Sequence, residues 1–411
     1  MSKMEEIDWT FAGANTRDFT HIYHDYPARM IPQIPRTLLK YLDIRHGVLF
    51  DPYCGSGTTL VEGLLGGLDS VGVDINPLAK LISEAKTDYF IDPSELRKSI
   101  NDFIIWTMSP SGTPIIPRIY NIEFWFKPTA IKELGLIMGY IYRIDNIHVR
   151  NFFLVAASET IRESSNTRKD EFKLYRYPAE KLKKHNPHPF DIMKLKLERN
   201  YRGYLDFYNQ MRSSNRSGLS RVYIFDTVKP IPSQIIPDEE ASIVITSPPY
   251  GDSHTTVAYG QYSRLSLEWL GLGNGNVDKL SMGGRRINKI INFGCSQLDS
   301  AISNIAAVDE KRALEVVSFY LDLKASIQNV SKKVKTGGYS CYVVADRRVK
   351  KTTLPTHEAI KCFFEDSGLS WVNTFIRNIP NKRMPAKNSP TNIVGYKEET
   401  MSKEYIVIMK K

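Results

Sequence analysis

The first ninety residues alternate between short apolar runs and amphipathic stretches. Short apolar, often β-branched runs are typical of buried strands, whereas apolar residues spaced by three or four are typical of helices. The two patterns predict a helix–strand–helix–strand–helix order, at 32–42, 47–51, 58–67, 70–74 and 77–86. Because strands that alternate with helices build parallel sheets, we expect an α/β unit here, after a polar lead-in over residues 1–20.

This rhythm breaks between residues 91 and 220, where the chain is rich in helix formers. Apolar spacing predicts helices at 131–142 and 149–161, and an aromatic cluster at 121–128 is interpreted as core packing or as a base contact. Residues 162–216 hold fourteen Lys and Arg against seven Asp and Glu, interleaved with Tyr175, Tyr177, Tyr201, Tyr204 and Tyr208. Such a segment is either a surface that binds a nucleic-acid duplex or a solvated helix face.

The α/β pattern resumes at residue 221. Apolar runs predict five further strands, at 221–226, 242–246, 339–345, 371–376 and 404–409. Helices are predicted at 261–270, inside a loop-rich insertion over 251–310, and at 311–333. The basic Pro- and Asn-rich segment 378–392 is a second candidate for contact with nucleic acid. The chain therefore divides into an α/β half at 1–90, a mainly helical insertion at 91–220 and a second α/β half at 221–411.

Composition and charge narrow the class of protein. A chain of 411 residues with 42% hydrophobic and 24% charged content is typical of a globular catalytic domain with an insertion. The net charge of +10 favours an anionic partner, with nucleic acid first. The four cysteines, Cys54, Cys295, Cys341 and Cys362, lack paired spacing, which predicts neither a zinc site nor a disulfide framework and favours a reducing cytoplasm. No apolar run is long enough to span a membrane.

A predicted strand runs into a Gly-rich turn at Gly55 and Gly57, and an apolar helix start follows. Glycines let the backbone come close to a ligand, and the helix N-terminus supplies free N–H groups. Asp74 ends the next strand about 20 residues beyond the turn, the spacing at which a carboxylate meets the hydroxyls of a bound ribose. Since Asp51 would repel phosphates, the turn favours a nucleoside ligand that carries cationic groups, such as an amino group and a sulfonium.

The strand at 242–246 ends in the rigid elbow Ser247-Pro248-Pro249-Tyr250. Two consecutive prolines fix the backbone and remove two N–H donors, so the carbonyls around them stay free to accept hydrogen bonds. Tyr250 adds a flat ring beside these acceptors. Acceptors next to a stacking surface suit a planar ring with an exocyclic amine, which is what a flipped-out nucleobase presents. Both motifs follow predicted parallel strands, at whose carboxyl ends open α/β sheets bind ligands.

Together these motifs resemble the DNA amino-methyltransferases of bacterial restriction–modification systems, which use S-adenosylmethionine. The resemblance covers residues 20–90 and 220–411. Ser-Pro-Pro-Tyr is similar to the form usual in the cytosine-N4 branch, whereas the adenine-N6 branch more often begins with Asp or Asn. Residues 51–59 resemble the cofactor loop of the family, 24–32 its N-terminal cofactor motif, and 337–347 a later strand of its catalytic domain.

The resemblance implies an α/β fold with a Rossmann-like methyltransferase sheet, mostly parallel, and a large mainly helical insertion. It implies S-adenosylmethionine as cofactor and no metal. Most of the residues expected to bind the cofactor match the family's motifs, and Ile75 is added because it follows Asp74. Asp226 ends the third predicted strand and is either a further cofactor residue or a helix cap. The full set is Tyr26, Pro27, Ala28, Asp51, Pro52, Tyr53, Gly55, Ser56, Gly57, Thr58, Thr59, Asp74, Ile75 and Asp226. The expected catalytic residues are Ser247, Pro248, Pro249 and Tyr250.

The expected partner is double-stranded DNA in the cytoplasm, and a cognate restriction endonuclease that acts independently is a further candidate. In this chain the cofactor loop precedes the elbow, whereas many cytosine-N4 members of the family run in the opposite, permuted order. A recognition region therefore cannot be transferred by position. The insertion at 91–220 is the first candidate for target recognition, and the insertion at 251–310 is the second.

The expected reaction is methyl transfer to the N4 amine of a flipped-out cytosine. Ser247 Oγ and the Pro248 carbonyl would accept the two amine hydrogens and expose the nitrogen lone pair, while Tyr250 would stack on the ring. Adenine-N6 methylation, RNA methylation and a non-catalytic DNA-binding subunit are the alternatives. Carbon-5 methylation of cytosine needs a thiolate nucleophile, which follows a proline in that family, and this chain has no Pro-Cys dipeptide.

Overall fold

The computed structural model describes residues 7–169, 172–214, 217–251, 257–273, 276–379, 387–388, 398–399 and 402–411. Its centre is a seven-stranded sheet, in the order β3-β2-β1-β4-β5-β11-β8. The strands of the described chain are Val48–Asp51 (β1), Asp69–Asp74 (β2), Ser220–Ile224 (β3), Ala241–Thr246 (β4), Val334–Val344 (β5), Arg347–Val349 (β6), Thr352–Leu354 (β7), Ser370–Asn378 (β8), Lys387–Asn388 (β9), Glu398–Glu399 (β10) and Lys403–Lys410 (β11).

Neighbouring strands from β3 to β5 pair in parallel, and β11 pairs antiparallel with both β5 and β8. The sheet is therefore mostly parallel, which confirms the Rossmann-like α/β fold expected from the sequence. Every residue of β4 is buried, because β4 lies at the centre of the sheet and both of its faces are covered. The two other short strand pairs, β6 with β7 and β9 with β10, lie outside the main sheet.

The helices of the described chain cover the sheet and form the insertions. They are Gln33–Tyr41 (α1), Thr58–Gly66 (α2), Pro77–Thr87 (α3), Pro93–Trp106 (α4), Ile122–Trp125 (α5), Pro128–Ile141 (α6), Ile147–Ser164 (α7), Ala179–Lys184 (α8), Pro189–Ser213 (α9), Tyr259–Trp269 (α10), Val277–Leu280 (α11), Ser296–Ala306 (α12), Glu310–Lys333 (α13) and Thr356–Glu365 (α14). Several start at a capping side chain, as where Asn76 accepts a hydrogen bond from Leu78 N and Pro77 opens α3.

Two apolar layers enclose the sheet. The period of two along β4 sends Ile243 and Ile245 into one core with α1 and the buried Trp9, and Val244 into the other with α12, α13 and α14. The burial of Trp9 corrects the expectation that residues 1–20 are only a polar lead-in. A third core joins α3 to the helices of the 91–220 insertion and to α10, so this insertion packs directly on the α/β unit.

Three of the five tyrosines of the basic segment are buried. Tyr201 and Tyr204 are buried, and their hydroxyls donate to the carbonyls of Pro93 and Ile91 at 3.1 and 2.5 Å. Tyr177 is buried as well, whereas Tyr175 is exposed. Tyr201 and Tyr204 are thus core residues, and the interpretation of the segment as a duplex-binding surface or as a solvated helix face stays a prediction.

Two further expectations differ from the structure. Cys295 and Cys362 form a disulfide that connects α12 to α14, although their spacing of 67 residues gave no sign of pairing. The region 251–310 is less irregular than expected, since α12 fills much of its second half. Most of the basic segment 378–392 lies outside the described residues. Among the helices that are described, none combines the length and apolarity needed to cross a membrane.

Candidate active site

A cleft opens at the edge of the sheet where the parallel strands β1, β2 and β4 have their carboxyl ends. It holds about 930 Å³ of empty space, a figure that includes the part open to solvent. Thirteen of the fourteen expected cofactor residues line it; Gly57 is the exception and lies behind the wall. The expected cofactor residues in the cleft come from four separate stretches of the chain: 26–28, 51–59, 74–75 and residue 226.

The glycine turn shapes the floor of the cleft. Gly55 and Gly57 have φ angles of 49° and 71°, the left-handed region that favours glycine. A Cβ on Gly57 would lie 2.8–3.0 Å from Ser83, so α3 packs against the turn where only glycine fits. From α3 the buried Lys86 also donates to the Ser56 carbonyl at 2.8 Å. The turn is therefore held in place by contacts with α3.

Asp74, at the end of β2, faces the same turn. Its carboxylate accepts hydrogen bonds from Gly55 N at 3.0 Å and from Asn76 N at 2.8 Å. Burial raises the pKa of Asp74 to about 6, although the backbone hydrogen bonds act in the opposite direction. A half-buried carboxylate with remaining acceptor capacity suits hydroxyl donors, and these are what a ribose offers.

Asp51, at the end of β1, is only 2% exposed and binds the neighbouring strand. Its Oδ1 accepts from Thr246 Oγ1 at 2.6 Å and from Tyr53 N at 3.1 Å. Because Thr246 directly precedes the elbow, this contact fixes the elbow relative to the cleft. Burial raises the pKa of Asp51 to about 6. A nearby cation would stabilise the ionised carboxylate, so the site matches a positively charged ligand.

The N-terminal motif lies against the glycine turn. Tyr26 packs beside Gly55, its hydroxyl accepts from Asn76 Nδ2 at 2.9 Å, and its ring stacks on that of Tyr259 at 5.9 Å. Arg29 is held by hydrogen bonds from Nη1 to the carbonyls of His21 and His24. Tyr26, Pro27 and Ala28 therefore form a side wall of the cleft, where the resemblance places them.

Asp226 lies on the opposite side, two residues beyond the end of β3. Its Oδ1 accepts from Val228 N at 3.1 Å, which closes a turn rather than capping a helix. The side chain still faces the cleft between Phe225 and Thr227.

The elbow divides between two cavities. Ser247 and Pro249 line the cleft, and Pro248 is buried behind them. Tyr250 instead borders a second, smaller cavity, and Ser247 lies in the wall that the two cavities share. Ser247 Oγ donates to Tyr250 Oη at 3.2 Å, and Tyr250 Oη donates to Glu404 Oε1 at 3.0 Å. Ser247 therefore lies between the cleft and the smaller cavity, in a wall that it shares with Ala28, Arg29 and Met30.

Sequence reasoning missed several residues of this site. Asn76, Tyr259 and the stretch that ends α11 line the cleft, and Glu404 and Arg377 line the smaller cavity. Asn76 follows Asp74 closely enough to have been a candidate, but Tyr259 and Glu404 belong to no recognisable motif. Within the described residues, no three His, Cys, Asp or Glu side chains converge into a possible metal site.

Comparison with known proteins places the chain in a family. No family model matches it. Type II methyltransferase M.MvaI from Kocuria varians is 40% identical over 427 aligned positions, which cover 97% of this chain and 93% of that protein. Type II methyltransferase M.MjaII from Methanocaldococcus jannaschii is 37% identical over 104 positions, which cover 24% of this chain and 19% of that protein.

Among solved structures, the rRNA methyltransferase aviRa from Streptomyces viridochromogenes aligns over 98% of this chain and 93% of its own, with 8% identity and a TM-score of 0.39. So low a score carries no argument about activity. The similarity to M.MvaI does, since it spans nearly the full length of both proteins. This chain belongs to the type II DNA methyltransferases of restriction–modification systems, whose methyl donor is S-adenosylmethionine.

Proposed function

We propose that this enzyme methylates the exocyclic N4 amine of a cytosine that is flipped out of duplex DNA. The observation that carries the proposal is the position of Ser247, in the wall between the cofactor cleft and the smaller cavity beside Tyr250. A base in that cavity would bring its amine to the serine hydroxyl, next to the cleft that holds the methyl donor. The Ser at the first position of the elbow favours cytosine over adenine.

S-adenosylmethionine, when bound, supplies a methyl group activated by the sulfonium. The residues present fit this ligand: Asp51 offers a buried carboxylate and Asp74 a half-buried one, the turn at Gly55 offers close backbone approach, and Asp226 offers a further acceptor in the cleft wall. The carboxylates favour its positive charges and its hydroxyls. The protein contributes orientation and electrostatics, while the ligand carries the difficult chemistry.

The elbow would prepare the amine for attack. In cytosine the amine lone pair is delocalised into the ring, so the nitrogen is a poor nucleophile. Ser247 Oγ and the Pro248 carbonyl would accept its two hydrogens, which favours tetrahedral geometry and localises the lone pair. Tyr250 would hold the ring in place. Positioning the amine in line with the methyl group makes the transfer effectively unimolecular. The new N–C bond would form as the sulfonium–methyl bond breaks, and the methylated amine would then release one proton to water.

The biological setting follows from this activity. The enzyme would act on DNA in the cytoplasm and would protect its target sites from an endonuclease that works separately. The exposed basic residues of the insertion 251–310 would contact phosphates beside the cleft, because phosphate contacts dominate DNA affinity, and the insertion 91–220 is the first candidate for reading the bases.

The decisive experiment identifies the methylated nucleoside. The purified protein is incubated with mixed-sequence duplex DNA and methyl-labelled S-adenosylmethionine, and the DNA is digested to nucleosides for mass spectrometry. We expect labelled N4-methylcytosine. Labelled N6-methyladenine would contradict the choice of base, and a label in RNA but not in DNA would contradict the substrate.

Ser247→Ala tests the role of the elbow. We expect kcat to fall by about 10²- to 10³-fold with unchanged affinity for S-adenosylmethionine, as when one preorganised hydrogen-bonding group is removed from an active site. Ser281→Ala is the matched control, because Ser281 lines the same cleft and its hydroxyl donates to the Val277 carbonyl rather than reaching the elbow. Equal losses in both variants would contradict a specific role for Ser247.

A further inference from the structure

A chain of hydrogen bonds leads from Ser247 to an ion pair on the far strands of the sheet. Ser247 Oγ donates to Tyr250 Oη at 3.2 Å, and Tyr250 Oη donates to Glu404 Oε1 at 3.0 Å. Glu404 Oε2 is bound by Arg377 Nη1, whose Nε donates to the Trp9 carbonyl at 3.1 Å. The Arg377 and Glu404 side chains are only 9% and 15% exposed, so water screens the ion pair little.

The fold builds this ion pair into the backbone. Glu404 and Arg377 are directly opposite in the antiparallel register of β11 and β8, where cross-strand side chains meet. Trp9, which anchors Arg377, stacks on Phe375 of β8 with ring centroids 5.2 Å apart. Glu404 is thus fixed in place independently of the elbow.

An ionised carboxylate only accepts hydrogen bonds, whereas a hydroxyl can donate one and accept two. Glu404 forms an ion pair with Arg377 and accepts at Oε1 the single proton of the Tyr250 hydroxyl. Burial, and then the charge of Glu404, raise the pKa of Tyr250, so the phenol keeps that proton. The Tyr250 oxygen therefore accepts the hydrogen bond from the Ser247 hydroxyl. Since Ser247 uses its proton in this way, its oxygen can still accept hydrogen bonds from a ligand.

We propose that Glu404 is a positioning residue that acts through Tyr250 to make Ser247 a hydrogen-bond acceptor toward the amine of the target base. This inference rests on the proposed function and deepens it. A serine that was free to rotate could donate its proton to the amine nitrogen and occupy the lone pair that must attack the methyl group. The Arg377–Glu404 ion pair, acting through Tyr250, prevents the Ser247 hydroxyl from pointing its proton at the amine. The Tyr250 hydroxyl thus has a role in addition to the stacking of its ring.

The test separates the Tyr250 hydroxyl from its ring. Tyr250→Phe keeps the stacking surface and removes the hydrogen bonds, and Glu404→Gln replaces the obligate acceptor by an amide of the same shape. We expect each variant to lower kcat for methyl transfer to DNA by about tenfold or more, with KM for DNA and affinity for S-adenosylmethionine within about twofold of wild type. The double variant should be no worse than the more affected single variant, because both break one chain.

Tyr405→Phe is the matched control. It removes a phenol oxygen one residue from Glu404, on a ring that stacks on His357 instead of facing the elbow, and should leave kcat unchanged. Thermal unfolding checks that each variant is folded, and Tyr250→Phe, the milder change, decides the matter if Glu404→Gln does not fold. Wild-type kcat in Tyr250→Phe would overturn the inference and leave the methylation of cytosine intact. Absence of labelled cytosine with the wild-type enzyme would instead overturn the proposed function.

Discussion

At the scale of single residues, the cleft contains two carboxyl groups, Asp51 and Asp74, whose ionised form is opposed by burial. Asp51 and Asp74 accept hydrogen bonds from neighbouring donors, yet burial still raises the pKa of each to about 6. Perturbed carboxyl groups in a cleft are typical of functional sites. A positive charge or further hydrogen-bond donors would stabilise the ionised carboxylates, and S-adenosylmethionine would bring these to both positions.

This leads to a prediction about pH. Below about pH 6 the two carboxyl groups are increasingly protonated in the free enzyme, and a protonated carboxyl attracts a cation less. Affinity for S-adenosylmethionine should therefore rise from pH 5 to about pH 7 and then level off, with proton release on binding near pH 6. Isothermal titration calorimetry in two buffers of different ionisation enthalpy measures both quantities.

Asp51→Asn and Asp74→Asn provide the controls for this prediction. Each amide removes one titrating group at nearly the same volume, so each should weaken binding above pH 7 and reduce the dependence on pH. An affinity that is constant from pH 5 to pH 8 in the wild-type enzyme would show that neither carboxyl group titrates against the ligand.

At the scale of elements, the sequence predicted those parts of the fold whose signals are local. Five elements lie within two residues of their expected bounds: β1, β2, β4, α2 and α3. Their signals are local, since apolar runs indicate buried strands and residues at helix ends indicate where helices begin and stop. The long α9 was not delimited, because its polar and aromatic residues alternate between an outer face and a core formed by distant helices. The link from Tyr250 to Glu404 was not predictable, because it depends on the register of β8 and β11 and not on a motif.

The glycine turn between β1 and α2 offers a prediction at this scale. Gly57→Ala should destabilise the enzyme by about 1–3 kcal/mol and weaken binding of S-adenosylmethionine, because the new Cβ meets Ser83 and the φ angle of 71° is unfavourable for alanine. Denaturant unfolding and cofactor titration measure the two effects.

Gly271→Ala separates the clash from the backbone strain. Gly271 has a similar φ angle of 64°, yet a Cβ added there would meet no atom within 4 Å. This variant should lose only about 1 kcal/mol from the backbone conformation and keep full cofactor affinity. If both variants lose the same stability and both bind the cofactor normally, packing of α3 against the turn is not what shapes the site.

At the scale of the whole molecule, the question is where the basic residues behind the net charge of +10 lie relative to the cleft. The stretch of chain after α11 brings basic residues close to the mouth of the cleft. Ser281 and Met282 line the cleft, and the next residues are pinned to α13, where Asp322 accepts from Gly283 N at 2.9 Å and Ser318 donates to the Arg285 carbonyl at 2.7 Å. Arg285 and Arg286 are exposed just beyond this anchor. We therefore expect them to contact phosphates beside the flipped base, while reading of the bases by the 91–220 insertion stays a prediction.

Charge reversal tests this placement. Arg285→Glu combined with Arg286→Glu should lower DNA affinity by about tenfold or more and reduce the slope of log affinity against log salt by about two, because each lost phosphate contact removes roughly one released counterion. Lys181→Glu combined with Lys184→Glu makes the same change of charge on the exposed α8, away from the cleft wall, and should cost much less. Fluorescence anisotropy over a series of salt concentrations measures both pairs. A larger loss from the α8 pair would place the phosphate contacts on the 91–220 insertion, and the duplex would then approach the cleft from that side.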